Sequence, residues 1–162
     1  MINDTIITTA MDLAVIAHNG QVNKHDGEPY LLHPLRVARL VQARAPEMIF
    51  AHAIAVALLH DSIEDSDGRI TQEVITMAFA AADLSMAGKV IGSNVDCLTK
   101  TRGENNRDYY IRVRDFSEIA RLVKVCDITD NFRRNHAITD EATRLRMAQK
   151  YSLGLDILTE GA

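Results

Sequence analysis

The sequence predicts an all-α fold, a compact domain of several helices around one core. Of the 162 residues, 47% are apolar and 25% charged, and the Ala, Leu, Met, Glu, Gln and Arg among them favour helix over sheet. Apolar residues recur at helical spacing along most of the chain. Only three prolines and eight glycines occur, without clusters, and no repeat or linker marks a boundary. We therefore expect one domain over residues 1–162.

Eight helical segments are predicted in succession. The first has helically spaced apolar residues rather than the continuous apolar core of a signal peptide. Pro34 and Pro46 each suit the first position of a helix, and Thr71 follows the turn DSDGR. The predicted segments are 5–18, 34–44, 47–63, 71–80, 84–98, 106–113, 116–133 and 141–158. The polar loop at 19–34, NGQVNKHDGEPYLLHP, is longer than a minimal helix connection, so we expect it to carry function.

Charge and cysteine content exclude several classes of protein. With 18 basic and 22 acidic residues the net charge is −4, which argues against a general binder of nucleic acid or anionic membranes. An anionic ligand would need a local basic patch. Cys97 and Cys126 form no CxxC motif, so we expect reduced core thiols in a cytoplasmic protein. The longest apolar run, 54–59, is too short to cross a bilayer.

The segment ALLHDSIED, at 57–65, places a histidine and three carboxylates directly after an apolar run. On a continuous helix His60 would lie over Glu64, and Asp61 over Asp65. Carboxylates this close repel one another unless a cation neutralises them, and histidine supplies a neutral nitrogen ligand. A solvated helix end is the alternative interpretation. A divalent metal site accounts better for an HD pair that follows AIAVALL.

Two further segments offer ligands. His33 precedes Pro34, which begins a predicted helix and holds the imidazole at the N-terminal edge of that helix. Asp127 follows the apolar run at 122–126, where an unpaired carboxylate would be costly to bury. Taken alone, His33 could be a surface histidine and Asp127 the partner of Lys124 or Arg133.

Together the four candidates predict one metal site. His33, His60, Asp61 and Asp127 supply two nitrogens and two oxygens, which leaves positions open in an octahedral shell. Mn(II) fits this ligand set best, with Fe(II) and Zn(II) as alternatives.

At these residues the sequence resembles the HD-domain metal phosphohydrolases, whose pattern is H…HD…D. It resembles more narrowly the hydrolase domain of the RelA/SpoT alarmone enzymes. The resembling segments are AHNGQ, DGEPYLLHPLRVA, ALLHDSIED, LTK and VKVCDITDNFR, in the order and at about the spacing of the family. The resemblance implies the HD-domain fold and hydrolysis of the 3′-pyrophosphate of (p)ppGpp-type nucleotides with Mn(II). Since the chain ends without a synthetase or regulatory domain, it resembles the stand-alone small alarmone hydrolases.

The resemblance also implies residue roles. The four ligand candidates match the metal ligands of the family, and Glu64 and Asp65 match its catalytic acidic pair. Asn131 and Tyr110 match family residues near the nucleotide. Lys24, Lys100 and Arg102 would supply the local positive field for a polyphosphate. Weaker candidates for this field are Arg112, Arg114 and Arg134.

The chain departs from the family near the nucleobase. Family members usually carry Arg-Lys where this chain has Asn23 and Lys24, and asparagine lacks the guanidinium plane that stacks on guanine. The chain also inserts His25 and Asp26, and it has CDITDNFR where the family often has ADRLHNMR. Asn23 stays in the predicted substrate-binding set, but guanine or adenine could be the base.

Three functions therefore compete. The first is a 3′-pyrophosphohydrolase that acts on a small nucleotide polyphosphate and releases pyrophosphate, with no nucleic-acid or membrane partner. The second is an HD phosphohydrolase of another phosphorylated nucleotide, such as ppApp or a dinucleotide phosphate. The third is a nucleotide sensor without turnover, against which the presence of both Glu64 and Asp65 argues.

Overall fold

A computed structural model describes residues 2–160 and confirms the all-α prediction. The helices are α1 (Ile2–Ala17), α2 (Leu32–Gln42), α3 (Phe50–Leu59), α4 (Ser62–Asp65), α5 (Gln72–Ala81), α6 (Ser85–Leu98), α7 (Asn106–Phe116), α8 (Glu118–Arg134) and α9 (Glu141–Thr159). Short 3₁₀ turns cover Glu47–Ile49 and Asn135–Ala137. Within residues 2–160, extended pairing is limited to one isolated bridge between Val22 and Pro29, inside the long polar loop.

Helix α3 lies at the centre of the molecule. Eight of its ten residues are buried, and it packs against α1, α2, α6 and α8. A helix that is apolar on all sides needs neighbours on all sides, so the sequence FAHAIAVALL dictates this central position. The helix contains four buried alanines, Ala51, Ala53, Ala55 and Ala57. Their small side chains let the neighbouring helices approach closely. The C-terminal end of α3 therefore emerges in the middle of the fold.

The prediction of one helix over 47–63 is wrong. A 3₁₀ turn precedes α3, and α3 ends at Leu59. His60 and Asp61 form a turn before the four-residue helix α4. Apolar periodicity continues through Ile63, so the pattern gave no sign of this break. Because of this break, His60 and Asp61 do not lie on one continuous helix with Glu64 and Asp65, contrary to the expectation from the sequence.

Polar caps fix the start of the helices that complete the site. The side chains of Asn105, Ser117 and Asp140 accept hydrogen bonds from backbone N–H groups at the start of α7, α8 and α9, which satisfies donors that a helix leaves unpaired. Gly154 lets α9 approach closely, because a Cβ atom there would lie 2.8 Å from the ring of Tyr110. Residues of these three helices and of the long polar loop line one cavity.

No helix within residues 2–160 combines the length and the apolar character needed to cross a membrane.

Candidate metal and nucleotide site

Side chains from three distant parts of the chain meet beside the end of α3. Ligand atoms of His33, His60 and Asp127 all lie within 4.8 Å of one another, and all three residues are buried. Asp61 joins them, because its Oδ2 atom is 3.5 Å from Nε2 of His33 and 3.2 Å from Nε2 of His60. The structure therefore brings together all four residues that the sequence singled out as ligands.

Local backbone structure places each of these groups. His33 is the second residue of α2, directly before Pro34, and His60 follows the last residue of α3. Asp127 lies on α8, with its Oδ1 atom 3.2 Å from His33 Nε2 and 3.6 Å from His60 Nε2. The hydroxyl of Tyr30 donates a 2.7 Å hydrogen bond to Asp61. The two imidazoles thus point their Nε2 atoms at a pair of carboxylates.

The electrostatics of the cluster favour a bound cation. Burial opposes protonation of both histidines, yet the neighbouring carboxylates outweigh it and raise the pKa of His60 to about 10 and that of His33 to about 8. For Asp61, the charge of His60 outweighs desolvation and holds the pKa below its usual range. For Asp127, Lys124 and then the two histidines do the same. Without a metal, protons on the imidazoles supply the positive charge that these carboxylates attract.

The donor set fits a divalent metal. The buried Nε2 atom of His60 has no hydrogen-bond partner among the described residues, although two carboxylate oxygens lie close to it. Such an arrangement suits ligands that share an ion better than groups that hydrogen-bond one another. Two imidazole nitrogens and carboxylate oxygens are ligands that Mn, Fe and Zn ions accept. His33, His60 and Asp127 can therefore hold a divalent metal, with Asp61 beside them.

Glu64 and Asp65 lie next to this cluster and line the same cavity. Partial desolvation and the Asp61 carboxylate raise the pKa values of both groups. A raised carboxyl pKa means a stronger base, so either group is suited to accept a proton near neutral pH. The predicted catalytic pair thus has a suitable position and environment.

A cavity of about 560 Å³ opens over the cluster, which is a typical volume for a small-molecule site. Of the predicted substrate-binding residues, Asn23, Lys24, Tyr110 and Asn131 line it. Tyr110 is fully buried and its hydroxyl has no hydrogen-bond partner among the described residues. Asn131 donates a 2.5 Å hydrogen bond to Oδ1 of Asp127.

Other predicted contacts lie outside the lining. The ammonium of Lys100 donates to Asn106, and Arg102 is exposed on the loop between α6 and α7. Arg112 pairs with Glu104, and Arg114 pairs with Asp115 and Glu160. Of the weaker arginine candidates, only Arg134 lines the cavity.

Sequence reasoning missed the contribution of α9. Arg146 and Lys150 are four residues apart, so they lie on one face of this helix, and both line the cavity. Together with Lys24 they form no ion pair with any described residue, whereas the other lining cations, Arg36, Lys124 and Arg134, are paired. In the sequence, basic residues four apart on a mostly polar helix look the same whether they line a binding site or face solvent, so they could not be assigned in advance.

Comparisons with known proteins point to one family. No family model matches the chain. A Danio rerio protein named guanosine-3′,5′-bis(diphosphate) 3′-pyrophosphohydrolase MESH1 is 28% identical over 147 residues, which is 90% of this chain and 78% of that protein. A Vibrio cholerae protein named guanosine-3′,5′-bis(diphosphate) 3′-pyrophosphohydrolase is 33% identical over 134 residues, 79% of this chain. This chain spans only 18% of that longer protein.

The fold agrees with these relatives. A solved structure, described as a metazoan orthologue of SpoT that hydrolyses ppGpp, superposes with a TM-score of 0.77 over 95% of this chain and 85% of its own, at 21% identity. This chain is related to the HD-type ppGpp hydrolases. The resemblance inferred from the H…HD…D pattern is thus confirmed.

Within the HD-type ppGpp hydrolase fold, Asn23 has a local structural role in this chain. Its side-chain oxygen accepts a 2.8 Å hydrogen bond from the backbone N–H of His25, and its own N–H donates to the carbonyl of Glu28. Gly27 completes this turn with a φ of 74°, which favours glycine. Asn23 therefore shapes the part of the loop that contains His25 and Asp26. Arg134 reaches the same loop from α8 and pairs there with Asp26 and Glu28.

Proposed function

We propose that this chain hydrolyses the 3′-pyrophosphate of ppGpp-type nucleotides, releasing pyrophosphate. The observation that carries the proposal is the convergence of His33, His60, Asp61 and Asp127 at one end of a cavity whose other walls carry unpaired cations. The names of the Danio rerio and Vibrio cholerae relatives support the same reaction. A single domain over residues 1–162 and a cytoplasmic location, both expected from the sequence, belong to this proposal.

The metal proposed is Mn(II), held by His33, His60, Asp61 and Asp127. The mixed nitrogen and oxygen donors support this choice, and Fe(II) and Zn(II) are the alternatives to be tested against it. When bound, such an ion lowers the pKa of water and stabilises negative charge on a phosphoryl oxygen. Tyr30 would keep Asp61 oriented through its hydroxyl hydrogen bond.

Glu64 and Asp65 are the proposed catalytic carboxylates. Both line the cavity next to the ligand cluster, and both have raised pKa values. We assign to this pair the orientation of the attacking water and the acceptance of its proton. A sensor without turnover would have no use for basic carboxylates at this position.

The substrate is a nucleotide polyphosphate. Lys24, Arg146 and Lys150 line the cavity without ion-pair partners among the described residues, so they are available to phosphate oxygens. Asn131 and Tyr110 are proposed to contact the nucleoside. Lys100 and Arg102 stay in the proposed substrate set as residues of the loop between α6 and α7, outside the lining of the cavity.

An adenine nucleotide such as ppApp is a second candidate substrate. The side chain of Asn23 is engaged in its own turn and offers no guanidinium plane to stack on guanine. Selection could then rest mainly on the phosphates, which the free cations of the cavity would provide.

A substrate panel tests the reaction. The purified chain is incubated with ppGpp, pppGpp and ppApp, each with Mn(II), Fe(II) or Zn(II), and released pyrophosphate is measured. We expect turnover of at least one of these nucleotides, with the highest rate in Mn(II). A strong preference for guanine would exclude the adenine alternative, and no release from any of them would refute the proposed reaction.

Two variants test the roles of the residues. Asp61→Ala should lose metal and activity together, because it removes a ligand. Glu64→Ala should retain the metal while turnover falls by about 100-fold or more, because it removes a proton acceptor only. Metal content by mass spectrometry and initial rates are measured on both. Normal turnover by Asp61→Ala would contradict the ligand assignment.

A further inference from the structure

The two histidines of the metal cluster obtain the same tautomer in different ways. Nδ1 of His60 lies 2.8 Å from the backbone carbonyl of Ala57, and that oxygen can only accept, so Nδ1 carries the proton. Nδ1 of His33 lies 2.9 Å from Oδ2 of Asp130, a carboxylate 97 residues away in sequence. With its Nδ1 atom engaged in this way, each imidazole can present Nε2 to a metal.

Asp130 is built into this position. It is only 5% exposed, and Nε of Arg36 reaches both of its oxygens, at 3.0 and 3.1 Å. These contacts hold the carboxylate in one orientation beside the ring of His33.

The contact chain continues to the loop that borders the cavity. Nη1 of Arg36 donates to Glu28 at 3.1 Å, and Glu28 also pairs with Arg134 at 2.8 Å. The backbone carbonyl of Glu28 accepts a hydrogen bond from the backbone N–H of Asn23. A change at Asp130 would therefore act on His33 directly and on the loop only through Arg36.

Position 130 is also one where this chain departs from the family segment. In CDITDNFR the aspartate stands where ADRLHNMR has histidine, whereas Asp127 and Asn131 are shared by the two segments. The carboxylate partner of His33 therefore stands at a position where the family often has another residue, separate from the shared ligands.

We propose that Asp130 is a positioning residue that strengthens metal binding through His33. Its carboxylate accepts a hydrogen bond from Nδ1–H and thereby favours the tautomer that presents Nε2. It also makes the imidazole a more basic ligand by placing a negative charge behind it. Arg36 holds Asp130 in place for this role. The inference rests on the proposed metal-dependent function, since it concerns a ligand of the same site.

Metal affinity of the purified chain tests the inference. Mn(II) is titrated into wild type, Asp130→Asn and Asp130→Ala, and free Mn(II) is measured by electron paramagnetic resonance. We expect Kd to rise by about 10- to 100-fold in Asp130→Ala, the usual effect of losing such a partner. Asp130→Asn should show a smaller rise in Kd, because the amide oxygen can still accept the hydrogen bond from Nδ1–H of His33 but carries no charge. Asp115→Asn, an exposed aspartate that also pairs with an arginine, is the matched control and should keep the wild-type Kd.

A second readout separates positioning from general damage to the fold. Long-range proton–nitrogen NMR of the metal-free protein at about pH 9.5, above the range in which an ordinary histidine ionises, shows which nitrogen of His33 carries the proton. We expect a larger share of Nδ1 protonation in wild type than in Asp130→Ala, in which only the carboxylates that face Nε2 remain.

Unchanged Kd in both Asp130 variants overturns the inference. If Asp130→Ala does not fold, the test rests on Asp130→Asn. A Kd of Asp130→Asn within twofold of the wild-type Kd would then contradict the inference. Absence of Mn(II) binding by the wild type would instead refute the proposed metal site itself, so the two failures are distinguishable.

Discussion

The two carboxylate oxygens of Asp127 have different partners: one faces the proposed metal site, and the other pairs with Lys124, a partly buried lysine. Oδ1 faces both imidazoles and accepts from Asn131, whereas Oδ2 lies 2.8 Å from Nζ of Lys124. The ammonium of Lys124 also lies 5.2 Å from the centre of the Tyr109 ring. Burial opposes its charge, but Asp127 outweighs burial and raises the pKa of Lys124. Lys124 therefore remains a cation and compensates one carboxylate of the cluster.

Replacing Lys124 should lower the stability of the protein, because the buried carboxylate of Asp127 then lacks its ion-pair partner. In Lys124→Met the side chain keeps most of its length but loses its charge, which leaves Asp127 without its ion-pair partner. We expect the free energy of unfolding of the metal-free protein to fall by about 3 kcal/mol. Saturating Mn(II) should restore part of the loss, because a cation again faces the carboxylate. Urea denaturation with and without Mn(II) measures both effects.

The control is Lys89→Met, which makes the same change at an exposed lysine of α6. Its denaturation midpoint should stay close to wild type. Equal midpoints for Lys124→Met and Lys89→Met in metal-free buffer would contradict a structural role for the Lys124–Asp127 pair.

At the scale of secondary-structure elements, Arg112 ties the loop between α6 and α7 to both helices. Its guanidinium contacts both carboxylate oxygens of Glu104 at 2.7 and 2.8 Å and donates to the carbonyls of Cys97 and Thr99. These bonds occupy its donors, and Arg112 does not line the cavity over the metal cluster. The loop that carries Lys100 and Arg102 is thus held by an arginine that the sequence offered only as a weak phosphate ligand.

This tie predicts a pH-dependent contribution to stability. Arg112 lowers the pKa of Glu104 in the folded protein, so the contribution is present above the ordinary carboxyl pKa of about 4.3 and is lost as pH falls through the folded value. Glu104→Gln should therefore be less stable than wild type by about 1 kcal/mol at pH 7, a figure limited by solvent screening. The difference should shrink below about pH 4. Urea denaturation at several pH values measures it.

Glu118→Gln supplies the matched control for this prediction, since it neutralises an exposed glutamate at the start of α8. It should change stability by a few tenths of a kcal/mol at most. A Glu104→Gln deficit that stays constant from pH 7 to about pH 3.5 would show that the lost stability does not come from ionisation of this carboxyl.

Across the whole molecule, short motifs were predictable from the sequence and long-range partners were not. His33, His60, Asp61 and Asp127 each stand beside a local signal, a proline or an apolar run, so they could be named in advance. The hydrogen bond from His33 to Asp130 and the ion pair from Arg36 to Asp130 span 97 and 94 residues. Such partners depend on how α2 packs against α8, which helical periodicity does not specify.

Helical periodicity also failed to predict two other features, the break after Leu59 and the part of α9 that lines the cavity. The break after Leu59 lies within an uninterrupted apolar pattern, so the pattern alone indicated a single helix. The cavity face of α9 is set by its packing against α7 and α8, with Gly154 against Tyr110, and the basic residues on it look like any solvated face in sequence. Helix type follows from local residues, whereas the lining of a cavity follows from tertiary contacts.

Because the metal ligands come from α2, from the turn after α3 and from α8, an ion bound to them should stabilise the whole fold. A ligand that binds only the native state adds RT ln(1 + [L]/Kd), about 2.7 kcal/mol at a hundredfold excess over Kd. For a chain of this size we expect the melting temperature to rise by about 5 to 10 °C at that excess, and to keep rising with the logarithm of Mn(II) concentration. Differential scanning calorimetry over a series of Mn(II) concentrations measures the shift.

Paired histidine variants separate binding at this site from a general effect of the ion. His33→Gln removes one proposed ligand and should abolish most of the Mn(II)-dependent rise. His136→Gln makes the same change at an exposed histidine outside the cavity lining and should keep the full rise, whatever its own melting temperature in metal-free buffer. Since the helices that supply the ligands pack against one another through α3, cross-linking them by one ion should raise the melting temperature without splitting the transition. An equal rise in both variants would place the stabilising ion elsewhere on the protein and refute the proposed ligand set.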